Sequence, residues 1–178
     1  SLKSNKNYRR NIGIKPIYQD NFENLAFFEN FEQGNFFEHQ PKISVYQNTV
    51  YREKNFSLCG GNSLRFLLKG KLVAIYIKSD LNDGLIEIRF GQQLIVTSSY
   101  SSWVNKIRPQ NVINLITLPL RQFSATQDFA PVSIACCREY SDIFELDYIK
   151  QEPNHKNPQK WKLNIIGIAY IGELKPFE

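Results

Sequence analysis

The chain has 178 residues, enough for one domain with a substantial core. Its 42% apolar and 22% charged residues are ordinary for a globular protein, and no apolar run is long enough to cross a bilayer as a helix. The formal net charge of +5 is divided along the chain rather than gathered on one face, which argues against a nucleic-acid reader.

Lys3, Lys6, Arg9, Arg10 and Lys15 form a basic N-terminal arm without acids. Asp20, Glu23, Glu29, Glu32 and Glu38 then reverse the sign. The two segments offset each other, so a solvated arm is expected rather than a polyanion-binding tail. "SLKSNKNYRR" lacks the apolar stretch of a secretory signal, and the first residue is Ser, as in a piece cut from a longer chain. Asp20 and Glu23 have capping-box spacing, Phe27, Phe28 and Phe31 recur at helical spacing, and Gly34 is a stop signal. This predicts a short helix, with an irregular crossing of phenylalanines over a sheet as the alternative.

From Lys42 the period becomes two. "KISVY" alternates at Ile43 and Val45, and "NSLRFLLKG" sets Leu64, Phe66 and Leu68 opposite Arg65. "KLVAIYIKS" is apolar on both faces, as a central or covered strand would be. "KGK" between them predicts a tight turn at Gly70, and "LNDG" predicts another. In "LIEIRF", Ile86, Ile88 and Phe90 point inward while Glu87 and Arg89 point out. Gly91 precedes the strand "QLIVTSS". "NVINLITLPL", shortened by Pro119, then "PVSIACC" and the weaker "IFELDYI" follow. "QEPNHKNPQK" is a polar loop. "WKLNIIGIAYIGEL" closes the chain with Leu163, Ile165, Gly167, Ala169 and Ile171 on one face, Gly167 marking a bulge or a close backbone approach.

Eight or nine strands at about ten-residue spacing, with no βαβ alternation, predict an all-β, jelly-roll-like β-sandwich. The boundaries drawn are 1–41 for the arm and Phe-rich lead-in, 42–174 for the sandwich, and 175–178 for the start of a linker to a further domain.

Reactive constellations are sparse. The Gly-x-Ser-x-Gly elbow and the Gly-Asp-Ser block of SGNH-type hydrolases are both absent. His39 and His155 are the only imidazoles, and neither has neighbours in sequence that suggest a triad. Cys59, Cys136 and Cys137 form no disulfide framework; buried free thiols are expected, with the last two diverging. Asp80 with Asp83, and Asp142 with Glu145, sit where turn chemistry explains them. Asp80, Asn82 and Asp83 fall short of the EF-hand pattern for calcium. No catalytic residue, metal or cofactor is assigned. Binding is better supported, because aromatic faces suit sugar rings. Tyr100, Trp103 and Arg108 in the serine-rich "SSYSSWVNKIRPQ", together with Trp161, are the candidate glycan-binding residues. Tyr46 and Tyr51, flanking a turn, are additional aromatics.

The succession "NSLRFLLKGKLVAIYI", "GLIEIRFGQQ", "APVSIACC" and "KLNIIGIAYIGEL" resembles the β-sandwich module that precedes the catalytic domain in some SGNH/GDSL-type carbohydrate esterases. The resemblance covers about residues 43–174 as a pattern of strands and turns rather than an invariant motif. It implies a galactose-binding-like jelly roll beside an enzyme acting on polysaccharide, with "LIEIRFGQQ" as a wall facing the ligand. The basic arm and Phe-rich segment depart from it. On this reading the chain is a non-catalytic, carbohydrate-binding-like accessory module of a larger bacterial polysaccharide-modifying protein, esterase or acetyltransferase-like. Its partners would be a glycan and an adjacent catalytic domain, with no nucleic acid and no membrane span. The location would be the cell envelope or outside the cell. The alternatives are a stand-alone interaction or assembly domain and a small hydrolase.

Overall fold

A computed structural model describes residues 24–47, 49, 52–79, 82–99, 115–137 and 158–178. The strands are β1 (Leu25–Phe28), β2 (Lys42–Gln47), β3 (Arg52–Cys59), β4 (Ser63–Lys78), β5 (Leu85–Phe90), β6 (Gln93–Ser98), β7 (Leu115–Pro119), β8 (Ala130–Cys136) and β9 (Lys162–Pro176). All their pairings are antiparallel. Helix among the described residues is confined to 3-10 turns at Phe31–Gln33 and Pro158–Lys160. The fold is therefore all-β, of the β-sandwich and jelly-roll type.

The sheet runs β2-β3-β9-β4-β8-β5-β6, with β1 also on β9 and β7 also on β4. The two longest strands, β4 and β9, pair with each other from Phe66↔Pro176 to Lys78↔Asn164. On its other edge, β4 takes β8 along Ser63–Leu68 and then β7 along Ala74–Lys78. In the same way β9 takes β3 along Lys162–Ile165 and then β1 along Ile168–Ile171. The core holds Phe56 and Leu58 of β3, Leu64, Phe66, Leu68, Leu72, Ile75 and Ile77 of β4, and Ile86, Ile88 and Phe90 of β5. Val132 and Ile134 of β8 and Leu163, Ile165 and Ile168 of β9 belong to it, as do Leu120, Phe123 and Trp161 from outside the strands. Each such aliphatic or Phe side chain contributes about 1.5–3 kcal/mol by leaving water.

"KGK" is not a turn: β4 continues through it. Gly70 (φ 134°) lies directly opposite Gly172 (φ 116°), and the two glycines let both long strands bend together. Register shifts between Leu72 and Ala74 and between Tyr76 and Ile77 complete the irregularity. Parity on β4 consequently changes: even positions to Leu72 face the core, then odd positions from Ile75. The same flip divides β9. Leu163 and Ile165 reach the main core and are followed by Ile168, whereas Ala169 and Ile171 pack with Val73, Ala74 and Tyr76 on the other face. The expectation of one continuous face from Leu163 to Ile171 fails because one residue is inserted. Gly167 is both a bulge site and a close approach, since a Cβ there would lie 2.3 Å from the Phe27 ring.

The helix expected after Asp20 also gives way. Asp20 and Glu23 lie outside the described residues; Leu25–Phe28 is a strand on β9, and of the described residues in this stretch Phe31–Gln33 alone turn helically. Phe31 and Phe36 are buried, and Phe31 meets Phe28, Phe36, Phe37 and Phe56 at ring-centroid distances of 5.2–5.9 Å. The Phe-rich segment drawn as a lead-in is thus continuous with the sandwich core. At the other end, β9 pairs with β4 as far as Pro176, two residues beyond the drawn boundary. "IFELDYI" lies outside the described residues. β3 was not anticipated because Glu53, Asn55 and Ser57, polar yet buried, conceal its alternation.

A polar trough as the candidate functional site

The inward parity of β4, β8 and β5 fixes what their outer face carries. Register sets Arg65, Ser133 and Arg89 in one row across the three strands. The next row is Ser63, Ala135 and Glu87. Two small residues therefore form a floor, with longer charged side chains on either side. Strand spacing separates the Arg65 and Arg89 backbones by about 9–10 Å. Glu38, from the segment before β2, closes one end: the Glu38 N–H donates to the Ser63 carbonyl at 3.0 Å, and Ser63 Oγ donates to Glu38 Oε2 at 3.1 Å. The resulting trough has a volume of about 350 Å³.

Its two arginines differ in their commitments. Arg89 Nε donates to Glu87 Oε1 at 2.6 Å, along one strand. Arg65 stacks on the Phe177 ring, with Cζ 5.0 Å from the centroid, while its Nε is buried and makes no hydrogen bond among the described residues. Arg65 lines the trough and pairs with no carboxylate among the described residues, so the outer N–H groups of its guanidinium are the charged donors the trough offers to a ligand oxygen. The trough thus offers fixed donors, carboxylate acceptors and hydroxyls, a set suited to hydrogen-bonding a polyhydroxylated molecule.

Nucleophilic chemistry is poorly served here. Cys136 borders the trough, but burial, followed by the charges of Cys59, Asp83 and Cys137, pushes its thiol up from 9.0 to about 12. It stays protonated at neutral pH and is a weak nucleophile. Cys137 is likewise buried and Cys59 is exposed; all three are free thiols. The His39 backbone bonds through both its N–H and carbonyl to the Asn62 side chain, at 2.9 and 2.8 Å, and its imidazole is exposed. His155, Asp80, Asp142 and Glu145 lie outside the described residues. Asp83 is buried and accepts from Ser79 Oγ at 3.2 Å, a turn-stabilising role. Among the described residues, no group of three His, Cys, Asp or Glu side chains is arranged to hold a metal ion.

Of the residues first singled out for sugar contact, Tyr100, Trp103 and Arg108 lie outside the described residues, as does Tyr51. Trp161 is a correction. It is 1% exposed and packs so closely beneath Gly84 that a Cβ there would lie 2.4 Å from the indole. Its faces are used by the core and cannot stack on a sugar. Sequence reasoning missed Arg65, Arg89, Glu87 and Ser133 as a group. It placed Arg65, Glu87 and Arg89 on outward faces, but strand pairing was needed to show that they meet.

A second surface is apolar. Leu25 and Phe27 are 43% and 49% exposed and, with Ala26, Tyr76 and Ala169, line a hollow of about 300 Å³. The Phe27 ring meets Tyr76 edge-on at 5.1 Å.

No protein-family profile matches the chain, and no curated protein matches it. Among solved structures it is similar to the catalytic unit of a thermostable GH87 α-1,3-glucanase from Streptomyces thermodiastaticus strain HF3-3. The TM-score is 0.47 at 10% identity, over 84% of this chain and 26% of that one. The chain spans about a quarter of that protein's length.

Proposed function

We propose that this chain is a non-catalytic glycan-binding module within a larger polysaccharide-modifying protein, of the kind its strand pattern resembles in SGNH/GDSL-type esterases. The observation that carries the reading is the trough of Arg65, Arg89, Glu87 and Glu38 over Ser133 and Ala135. It is concave and polar, it holds a guanidinium that pairs with no carboxylate among the described residues, and its one thiol is held protonated. Tyr100, Trp103 and Arg108 remain candidates for the sugar-stacking role. Titration of the 178-residue chain with a panel of oligosaccharides tests it, with Ser133→Leu as the blocking variant. Binding that Ser133→Leu abolishes while the fold persists supports the proposal. Absence of binding across the panel, or binding indifferent to Ser133→Leu, removes the trough from it.

A second reading has its own observation, the exposed Leu25 and Phe27 over the apolar hollow. In it, the β1 face holds another protein surface, in the same chain or a separate one. Deleting residues 20–40 is a poor test because it removes Phe31 and Phe36 from the core. Leu25→Ser is the gentler probe. A shift from oligomer to monomer in light scattering would favour this reading, and a monomer with and without the substitution would count against self-association.

A further inference from the structure

We propose that the trough selects an acidic glycan, and that the carboxylate of a uronic acid residue docks on Arg65. This rests on the glycan reading and adds the class of sugar. Three features of the site point the same way.

The first is the state of Arg65. Among the described residues its guanidinium pairs with no carboxylate and makes one contact, the face of the Phe177 ring, while its Nε is buried. A ring face leaves the two outer, in-plane Nη–H groups to donate end-on to the two oxygens of a carboxylate. Arg89 is already turned along its strand to Glu87 at 2.6 Å. The trough therefore presents one available guanidinium rather than a paired anion clamp.

The second is charge. Arg65 and Arg89 are balanced by Glu38 and Glu87, so the lining is formally neutral. A dianion such as a phosphate monoester would meet two carboxylates with no surplus positive charge to offset them. A monoanion that also carries hydroxyls fits better. Its carboxylate takes Arg65, and its hydroxyls donate to Glu38 and Glu87 and exchange hydrogen bonds with Ser133.

The third is shape. Ser133 and Ala135 keep the floor low between side chains whose backbones stand about 9–10 Å apart. A sugar ring lowered onto this floor has its edge substituents directed at the charged walls.

The test compares galacturonate oligosaccharides with neutral galacto-oligosaccharides of the same length, by calorimetric titration of the 178-residue chain. Tricarballylate serves as a carboxylate without a sugar ring. The acidic oligosaccharide should bind at least about tenfold more tightly than the neutral one, a discrimination typical of a desolvated charge-assisted pair. Arg65→Gln should erase the difference, Arg65→Lys should restore only part of it, and raised salt should weaken it. Circular dichroism and the thermal midpoint verify that each variant is folded. The wild-type preference alone decides the matter if a variant fails to fold. Equal binding of acidic and neutral oligosaccharides overturns this inference and leaves the glycan reading standing. Binding of neither overturns both. Tricarballylate binding as tightly as the acidic sugar overturns the assignment to sugars and makes the trough a carboxylate site.

Discussion

Gly70 and Gly172 face each other at the middle of the longest strand pair, and each holds a positive φ. A Cβ on Gly70 would lie 2.0 Å from the Ile171 carbonyl oxygen, and one on Gly172 would lie 2.0 Å from that of Lys69. Backbone atoms cannot rotate away as a side-chain tip can. Gly70→Ala should therefore cost about 1–3 kcal/mol in backbone strain, with the overlap added, read as a clear drop in thermal midpoint. Trp161→Ala should cost about 3–5 kcal/mol by emptying the space beneath Gly84, and its effect belongs to stability, not to sugar affinity. The thiols separate by environment. Cys59 should react promptly with a thiol reagent at pH 8, whereas Cys136 and Cys137 should react only as the protein unfolds. Because folding raises the Cys136 thiol from 9.0 to about 12, the unfolded chain loses this proton first as pH rises. The contribution of Cys136 is complete below pH 9 and declines by about 1.4 kcal/mol per pH unit until about 12. Denaturation midpoints measured through that window should fall less steeply in Cys136→Ala.

Elements differed in how legibly the sequence declared them. "LIEIRF" announced β5 because its two faces differ cleanly, and Ile86, Ile88 and Phe90 are all fully buried. β4 and β9 were legible as extended but not in detail. A bulge moves one residue and reverses every later side chain, while the sequence retains apolar residues at both parities. Gly70 read as a turn because its left-handed freedom serves a bend as well as a reversal. β3 was hidden for a different reason. Its second face buries Glu53, Asn55 and Ser57, and partners in space offset most of the cost, although Glu53 Oε2 accepts no hydrogen bond among the described residues. Asn55 Nδ2 donates to Glu53 Oε1 at 2.8 Å, Ser57 Oγ donates to Asn164 Oδ1 at 2.8 Å, and Lys78 Nζ stands 3.9 Å from Glu53 Oε2. Ser57 and Asn164 are 107 residues apart, a separation that local patterning does not register. Removing Asn55 alone should leave buried Glu53 Oε1 without its hydrogen bond, though Lys78 stays near Oε2; Asn55→Leu is expected to cost about 1–3 kcal/mol in denaturant unfolding.

Across the whole molecule, the aromatic segment before β2 joins the core through Phe31 and Phe36 instead of trailing from it. It also carries Glu38 to the trough, so the same stretch that closes the fold completes the candidate site. The site itself is a product of pairing. Arg65, Ser133 and Arg89 come from three strands, and each alone reads as a solvated outward residue. Leu25 and Phe27 stand away from it, on the face built by β1, β9 and β4. The described residues thus carry two surfaces with two chemistries, one polar and one apolar. Backbone amide chemical-shift mapping during titration with the oligosaccharide panel separates them most directly. Binding through the trough predicts the largest shifts at Ser63, Arg65, Glu87, Arg89, Ser133 and Ala135, with Leu25 and Phe27 unmoved. Shifts confined to β1 and its neighbours on β9, or none with any oligosaccharide, would contradict it.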